Sequence, residues 1–359
     1  MRELESLDDV LAYLDRHGGL SRAYVQGVDL TSVGGILATA DVRQALFLGC
    51  AFDPDTEDDL PRRGALVFPR LPDLPFAPYR PTLYTAAELY AGLPHGYSRT
   101  RDARVYHWWR HIGRRRDLAS ELAMTLHDHA ISDALGDVAP ADAVGVMGGH
   151  QLARDSRQYA DAARLGHRLV AAGHAVLTGG GPGAMEAANL GAALAGSESD
   201  VAAAVASLAA HPTFTPDTDA WARSAFSVRE RWPFDGPSLG VPTWFYGHEP
   251  ANVFATRIAK FFSNAIREDT LLRLASRGLV CLPGAAGTVQ EIFQAMTPRY
   301  YADRDPIPPL ILVGDAYWTA EIPAWPLVAA LADGRPMAGC VHLVASMDDV
   351  PGLLATMAP

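Results

Sequence analysis

The residues best placed to do chemistry lie in three glycine-rich turns: Gly148-Gly149-His150, Gly179-Gly180-Gly181-Pro182-Gly183 and Pro283-Gly284-Ala285-Ala286-Gly287-Thr288. Glycine lets a backbone approach a ligand closely and take positive φ. A helix that starts just after such a turn presents unpaired N–H groups and the positive end of its dipole. Together these make an anion pocket suited to a phosphate. One such turn alone reads most simply as a tight turn. Three at successive strand ends point to a ligand site. Thr288 is expected to cap its helix and to offer its hydroxyl. Glu291 follows about one helical turn later. With a phosphate on Gly287-Thr288, its carboxylate lies a little deeper, beside whatever sugar the phosphate carries. T-x-x-E is also a capping pattern, which gives Glu291 a purely structural alternative.

Arg267 shares a helical face with Asn264 and Ser263, three and four residues earlier. A guanidinium there can clamp a phosphate or sugar hydroxyls, or order Glu291. Pairing with a surface acid is the plainer alternative. His150 can donate to ligand oxygens, and Glu186 can accept from sugar hydroxyls. Glu186 also suits the first turn of a helix. The middle turn fits the relaxed dinucleotide pattern G-x-G-x-x-A. The acidic residue that pattern wants is matched in spacing by Glu198 and Asp200, but these fall between a helix and an Ala-rich run. A nicotinamide or flavin site is therefore set aside. His127 and His129 are two apart, so a helix does not bring them to one face, and no metal site is expected. Lys260 is the only lysine. It is the one candidate for Schiff-base chemistry, and nothing around it supports that use. No cofactor is expected.

Short apolar strands must carry these turns. Strands are read at 141–149, 174–181, 240–247, 278–287, 308–314 and 341–346, and helices at 156–172, 182–196, 252–277 and 288–297. Strands alternating with helices argue a parallel sheet covered on both faces. The expected fold is a Rossmann-like, doubly wound α/β domain over residues 137–359, with an additional N-terminal α+β region over 1–136. Ligands bind such sheets at the carboxyl ends of the strands, where the glycines sit. The Ala-rich, then Trp/Arg-rich stretch at 197–236 is too apolar for disorder and has no assigned place. In the N-terminal region, strands are read at 23–28, 45–52 and 65–68, and a Pro-rich loop at 71–81. A helical stretch at 102–135 takes Trp108, Trp109, Ile112, Leu118, Leu122 and Leu126 as its apolar positions. Arg114-Arg115-Arg116 reads as a solvated or inter-subunit face, or as an anionic effector site.

The composition is that of an ordinary globular protein, 49% hydrophobic and 20% charged. A formal net charge of -11 excludes a nonspecific nucleic-acid binder. It leaves room for a small anion where local donors dominate. Three cysteines without a C-x-x-C pair argue against a disulfide framework or zinc site. The acidic N-terminus lacks the apolar segment of a signal peptide, and no apolar run reaches membrane-spanning length. The expectation is a soluble, cytoplasmic protein that binds neither membrane nor nucleic-acid polymer.

The run Pro283 to Glu291, P-G-A-A-G-T-V-Q-E, resembles the PGGxGTxxE signature of the LOG-type phosphoribohydrolases, often labelled lysine decarboxylases. These enzymes cleave nucleoside 5′-monophosphates to free base and ribose 5-phosphate. Within that superfamily the chain is most similar to the pyrimidine/purine nucleotide 5′-monophosphate nucleosidases. Gly148-Gly149-His150 looks like their GGH turn, and Gly181-Pro182-Gly183-Ala184-Met185-Glu186-Ala187 like their GPGAMEA run. Glu249-Pro250 and Pro309-Leu310-Ile311-Leu312 are similar too. The resemblance covers about residues 143–314. Two departures stand out. Ala285 replaces the second glycine of the signature. The family's catalytic arginine falls on Arg267 when counted from Glu249, but on Glu268 when counted back from Pro283.

The resemblance implies Arg267 and Glu291 as catalytic residues. It implies Gly149, His150, Gly180, Gly181, Gly183, Met185, Glu186, Asn264, Gly284, Ala285, Gly287 and Thr288 as substrate-binding. It also implies a homo-oligomer, with no metal or organic cofactor. N-glycosidic cleavage passes through an oxocarbenium-like state. A carboxylate beside the anomeric carbon can stabilise that charge and orient or deprotonate water. The alternative is a nucleotide-binding sensor or carrier on the same fold that releases no base.

Overall fold

In a computed structural model of the chain, the described residues are 3–71, 73–112, 117–245, 249–302 and 307–357. The run Arg114-Arg115-Arg116 lies outside them. The chain divides into two compact units, Met1–Leu83 with His111–Asp137, and Tyr84–Arg110 with Val138–Pro359. Sequence placed residues 84–110 with the N-terminal region. They pack within the larger unit, because Tyr84 exchanges both backbone hydrogen bonds with Ile258 at 2.9 Å. Buried Asp102 also pairs with Lys260 at 2.6 Å.

The smaller unit carries four parallel strands, β1 (Glu3–Leu4), β2 (Tyr24–Gln26), β3 (Leu46–Leu48) and β4 (Leu66–Phe68), in that order. Helices Leu7–His17 and Pro54–Arg62 start at Ser6 and Asp53, whose side chains take the N–H of Asp9 and Thr56. Leu4, Val25, Phe47 and Leu60 fill its core. The expected helix at 102–135 is two helices, Arg101–Ile112 and Leu118–Val138. Its apolar face differs from the reading: Leu118 and Leu122 are exposed, while Ala123, His127, Ala130, Ile131, Ala134 and Leu135 are buried. The second helix restarts at a cap, with Asp117 accepting from the Ser120 N–H at 2.9 Å. That resets which residues face inward. His127 is buried beside Asp128 at 3.2 Å, and burial lowers its pKa. His129 points outward.

The larger unit holds β5 (Ala143–Met147), β6 (Ala175–Thr178), β7 (Ser238–Gly240), β8 (Arg257–Ile258), β9 (Gly278–Cys281), β10 (Leu310–Val313) and β11 (Val341–Val344). They form one parallel sheet in the order β11-β10-β9-β5-β6-β7-β8. Every residue of β5, β6, β9 and β10 is buried, as expected for strands covered on both faces. From β5 the chain builds outward through β8, then returns to place β9 on the other side of β5. This is a doubly wound, Rossmann-like sheet, and its direction reverses between β5 and β9. Helices Arg157–Ala171 and Ala184–Ala193 approach closely through Gly166 and Gly191. A Cβ on either glycine would run into a carbonyl of the other helix.

Two elements differ from the sequence expectation. The third strand of the sheet is Ser238–Gly240, earlier than the expected 240–247. The expected helix at 252–277 is helical only over Asn264–Leu274 and is preceded by β8. Tertiary pairing explains the difference: the N–H groups of Thr256 and Ile258 donate to the Ser238 and Tyr84 carbonyls at 2.9 Å, and those of Ala259 and Phe261 to Gly240 at 2.8 Å and Pro242 at 3.0 Å, so this backbone is spent on strand pairing and not on a helix. Ser263 then caps the true start. The unplaced stretch forms helices Glu198–Leu208 and Thr218–Arg231, capped by Ser197 and Asp217. No helix among the described residues is long and apolar enough to cross a membrane.

Candidate active site

The carboxyl ends of β5 and β9 meet at the switch point, and both end in the expected glycines. The Gly149 N–H donates to the Pro283 carbonyl at 3.0 Å, tying the first loop to the third. A cavity of about 400 Å³ opens over them. Of the residues expected from sequence, Gly149, His150, Gly181, Met185, Arg267, Ala285, Gly287, Thr288 and Glu291 line it. Asn264 stands behind Arg267, its Oδ1 accepting from Nε at 3.2 Å and Nη2 at 2.7 Å. Gly284 lies beneath Thr288. Gly180 turns the second loop at φ +69° against Pro242. Gly183 and Glu186 line a neighbouring cavity instead.

Glu186 departs from its expected role. Its two oxygens accept from Arg154 at 2.9 and 2.5 Å, and the Tyr159 hydroxyl adds a third bond at 3.0 Å. Glu186 is fully buried, so these partners occupy it and leave no room for sugar hydroxyls.

The three turns are not equivalent as anion seats. The first opens no helix directly, since the next one begins at Arg157 under a Ser156 cap. The second leads into Ala184–Ala193, whose first N–H already donates to the Gly149 carbonyl at 3.2 Å. The third starts the fifteen-residue helix Ala286–Tyr300 from Ala285, which has no side chain to cap it. Ala286, Gly287 and Thr288 present their N–H end of the helix dipole to the cavity. Thr288 is therefore three residues past the cap position, not the cap itself. Glu291 consequently belongs to no capping box. Ala285 has φ -91°, outside the left-handed range that would call for the signature's glycine.

Two carboxyl groups flank one guanidinium. Arg267 lies 2.9 Å from Glu268 and 3.7 Å from Glu291, and all three line the cavity while being nearly buried. Burial pushes the Glu291 carboxyl up to about 8; the Glu268 charge adds to this and Arg267 opposes it. Burial raises Glu268 as well, against Arg267 and the Asn264 side chain. Glu268 Oε2 has no hydrogen-bond partner among the described residues. One positive charge cannot hold two buried negative ones, so the pair retains a proton.

Several lining residues carried no site role in the sequence expectation, although Glu249 and Glu268 lie in its motifs. Glu249 sits 3.3 Å from His150 across the cavity. Glu268, Gln290, Pro242 and Thr243 complete the wall. The signal for Glu268 was its adjacency to Arg267. Nothing local marked Pro242 or Thr243, which arrive from the end of β7.

Residues 220–357 match the family model described as "Possible lysine decarboxylase", and residues 142–199 match that of the "SLOG cluster4 family". Both matches support the LOG-like superfamily. No curated protein is matched. Among solved structures, the molybdenum cofactor binding protein from Rippkaea orientalis is 17% identical, covers 61% of this chain and 98% of its own, and has a TM-score of 0.37. The molybdenum cofactor carrier protein of Chlamydomonas reinhardtii is 18% identical, with the same coverage and the same TM-score of 0.37. The LOG-like site does not fit the decarboxylase label where that chemistry needs a Schiff-base lysine. Lys260 is fully buried, bonded to Asp102, and lies 5.1 Å above the Trp244 ring, outside the cavity lining.

Proposed function

We propose that this protein hydrolyses the N-glycosidic bond of nucleoside 5′-monophosphates, releasing free base and ribose 5-phosphate. The observation that carries the reading is one cavity holding both an uncapped helix N-terminus and the Glu268–Arg267–Glu291 cluster. The phosphate sits on Gly287-Thr288, where backbone donors and the dipole favour anions. The sugar then lies along the first turns of that helix, with its C1 beside Glu291. As the C1–N bond breaks, its electron pair goes to the base nitrogen. The protonated member of the carboxyl pair supplies a proton there. The ionised member stabilises the positive charge at C1 and takes a proton from the attacking water. The hydroxide ends on C1, and Arg267 keeps both carboxyl groups oriented throughout.

The test is a product assay on the purified full chain with purine and pyrimidine 5′-monophosphates. Free base and ribose 5-phosphate are expected in equal amounts. Binding of these nucleotides with no base released from any of them would overturn the enzymatic reading and leave a sensor or carrier.

A further inference from the structure

A second cavity, of about 290 Å³, lies beside the first and shares His150 with it. One side is the Pro182-Gly183 turn. The other is the 197–236 insertion, through Pro212, Phe214 and Trp221. Its lining is mixed: Leu152, Pro182, Pro212 and Phe214 bring apolar surface, and Gln151, Thr213 and Thr215 bring polar groups. Phe214 stands edge-on to buried Trp221, with centroids 6.2 Å apart at 69°. Trp221 is itself clamped. The Arg154 guanidinium lies 4.4 Å over its ring and donates to its carbonyl at 3.0 Å. The Arg154 N–H donates to the Pro212 carbonyl at 2.9 Å. Trp221, against which Phe214 packs, is thus fixed before any ligand arrives.

Charge decides what this cavity takes. Its one carboxylate, Glu186, is neutralised by the bidentate bond to Arg154. Arg154 Nη1 in turn donates to the Trp221 carbonyl and the Ser224 hydroxyl, each at 3.0 Å. Neither a phosphate nor a cation finds an unmatched charge there. A neutral planar ring finds an aromatic face and hydrogen-bonding edges.

We infer that the second cavity is the subsite for the nucleobase, and that the insertion sets base preference. This rests on the reading of the first cavity as the phosphate and sugar site. The nucleotide then runs from Thr288, past Glu291, across His150 to Phe214.

Binding by calorimetry separates the two claims, with ribose 5-phosphate as a probe of the first cavity and nucleoside 5′-monophosphates as probes of both. In Phe214→Ala, affinity for the nucleotides is expected to fall roughly tenfold, the loss of one base-stacking face, while ribose 5-phosphate binds as before. Thr213 is exposed, so Thr213→Trp fills the cavity without touching the core and should weaken the nucleotides alike. Nucleotide affinity unchanged in both variants overturns the base subsite and leaves the first-cavity reading standing. An equal loss for ribose 5-phosphate overturns it too, by showing a general distortion. A wild-type protein that binds neither probe sinks both readings together.

Discussion

Glu291 and Glu268 act as one titrating unit, and that governs what substitution and pH should do. Replacing Glu291 by Gln keeps the shape but removes a group that can ionise beside C1. Base release is expected to fall by about 10²–10⁴-fold, the usual worth of a positioned acid or base, with the thermal midpoint no lower. A fall of less than about threefold would exclude Glu291 from the chemistry. The active form carries one proton on the pair, so kcat/KM should decline as pH rises through about 8. Stability follows the same proton. The folded state holds it up to about 8, whereas the unfolded carboxyl loses it near 4.5. This carboxyl's contribution is therefore full below 4.5 and lost as pH rises through about 8. Glu291→Gln cannot titrate, so denaturant unfolding across that window should show the variant gaining on the wild type as pH rises. Glu291 and Arg267 were legible in the sequence because a glycine turn and a helical face fix their spacing. The pairing with Glu268 was not, since it depends on burial. Glu186 shows the opposite failure: its spacing suited a ligand, but a buried arginine from another loop took it.

At the scale of the element, the phosphate seat is the first turn of Ala286–Tyr300, and its shape is set from below by Gly284. A Cβ there would stand 2.8 Å from Thr288 Cβ and 3.1 Å from the Gly149 nitrogen. Thr288 is β-branched and stiff in a helix, so the loop must move. Gly284→Ala should cost about 1–3 kcal/mol in unfolding free energy, as overpacking does, and weaken ribose 5-phosphate binding. Ala285→Gly is the contrasting case. The residue already has negative φ, so restoring the signature glycine should keep turnover and cost no more than about 1 kcal/mol of backbone entropy. A rise of tenfold or more in turnover would show instead that the methyl group crowds the seat. The strands here were readable as short apolar runs ending in glycine. The stretch before Asn264 was not. Its apolar spacing suits a helix, but the N–H groups of Thr256, Ile258, Ala259 and Phe261 donate to carbonyls of Ser238, Tyr84, Gly240 and Pro242. Those partners come from other elements, so only the folded structure reveals them.

At the scale of the molecule, strand alternation announced a doubly wound sheet, and the observed order puts its switch point under the glycines that sequence had singled out. The insertion at 197–236 stayed unplaced for a physical reason. Val201, Ala204, Val205 and Leu208 do follow helical spacing and are buried, but which helices cover them, Arg157–Ala171 and Thr218–Arg231, is fixed only by the fold. Arg154 joins the loop after β5, the insertion and Glu186 at one buried point. That arrangement predicts a specific pattern of stability. Arg154→Met leaves the Glu186 carboxylate buried without its partner, which should cost about 3–5 kcal/mol. The double variant Arg154→Met with Glu186→Leu removes the stranded charge and should recover most of that loss, because apolar side chains replace a buried ion pair at little net cost. All seven tryptophans lie in the larger unit, so their fluorescence during urea unfolding follows the unit that holds this pair. A single variant costing less than about 1 kcal/mol, or a double variant no more stable than the single, would mean that the insertion is held by its apolar contacts and not by Arg154.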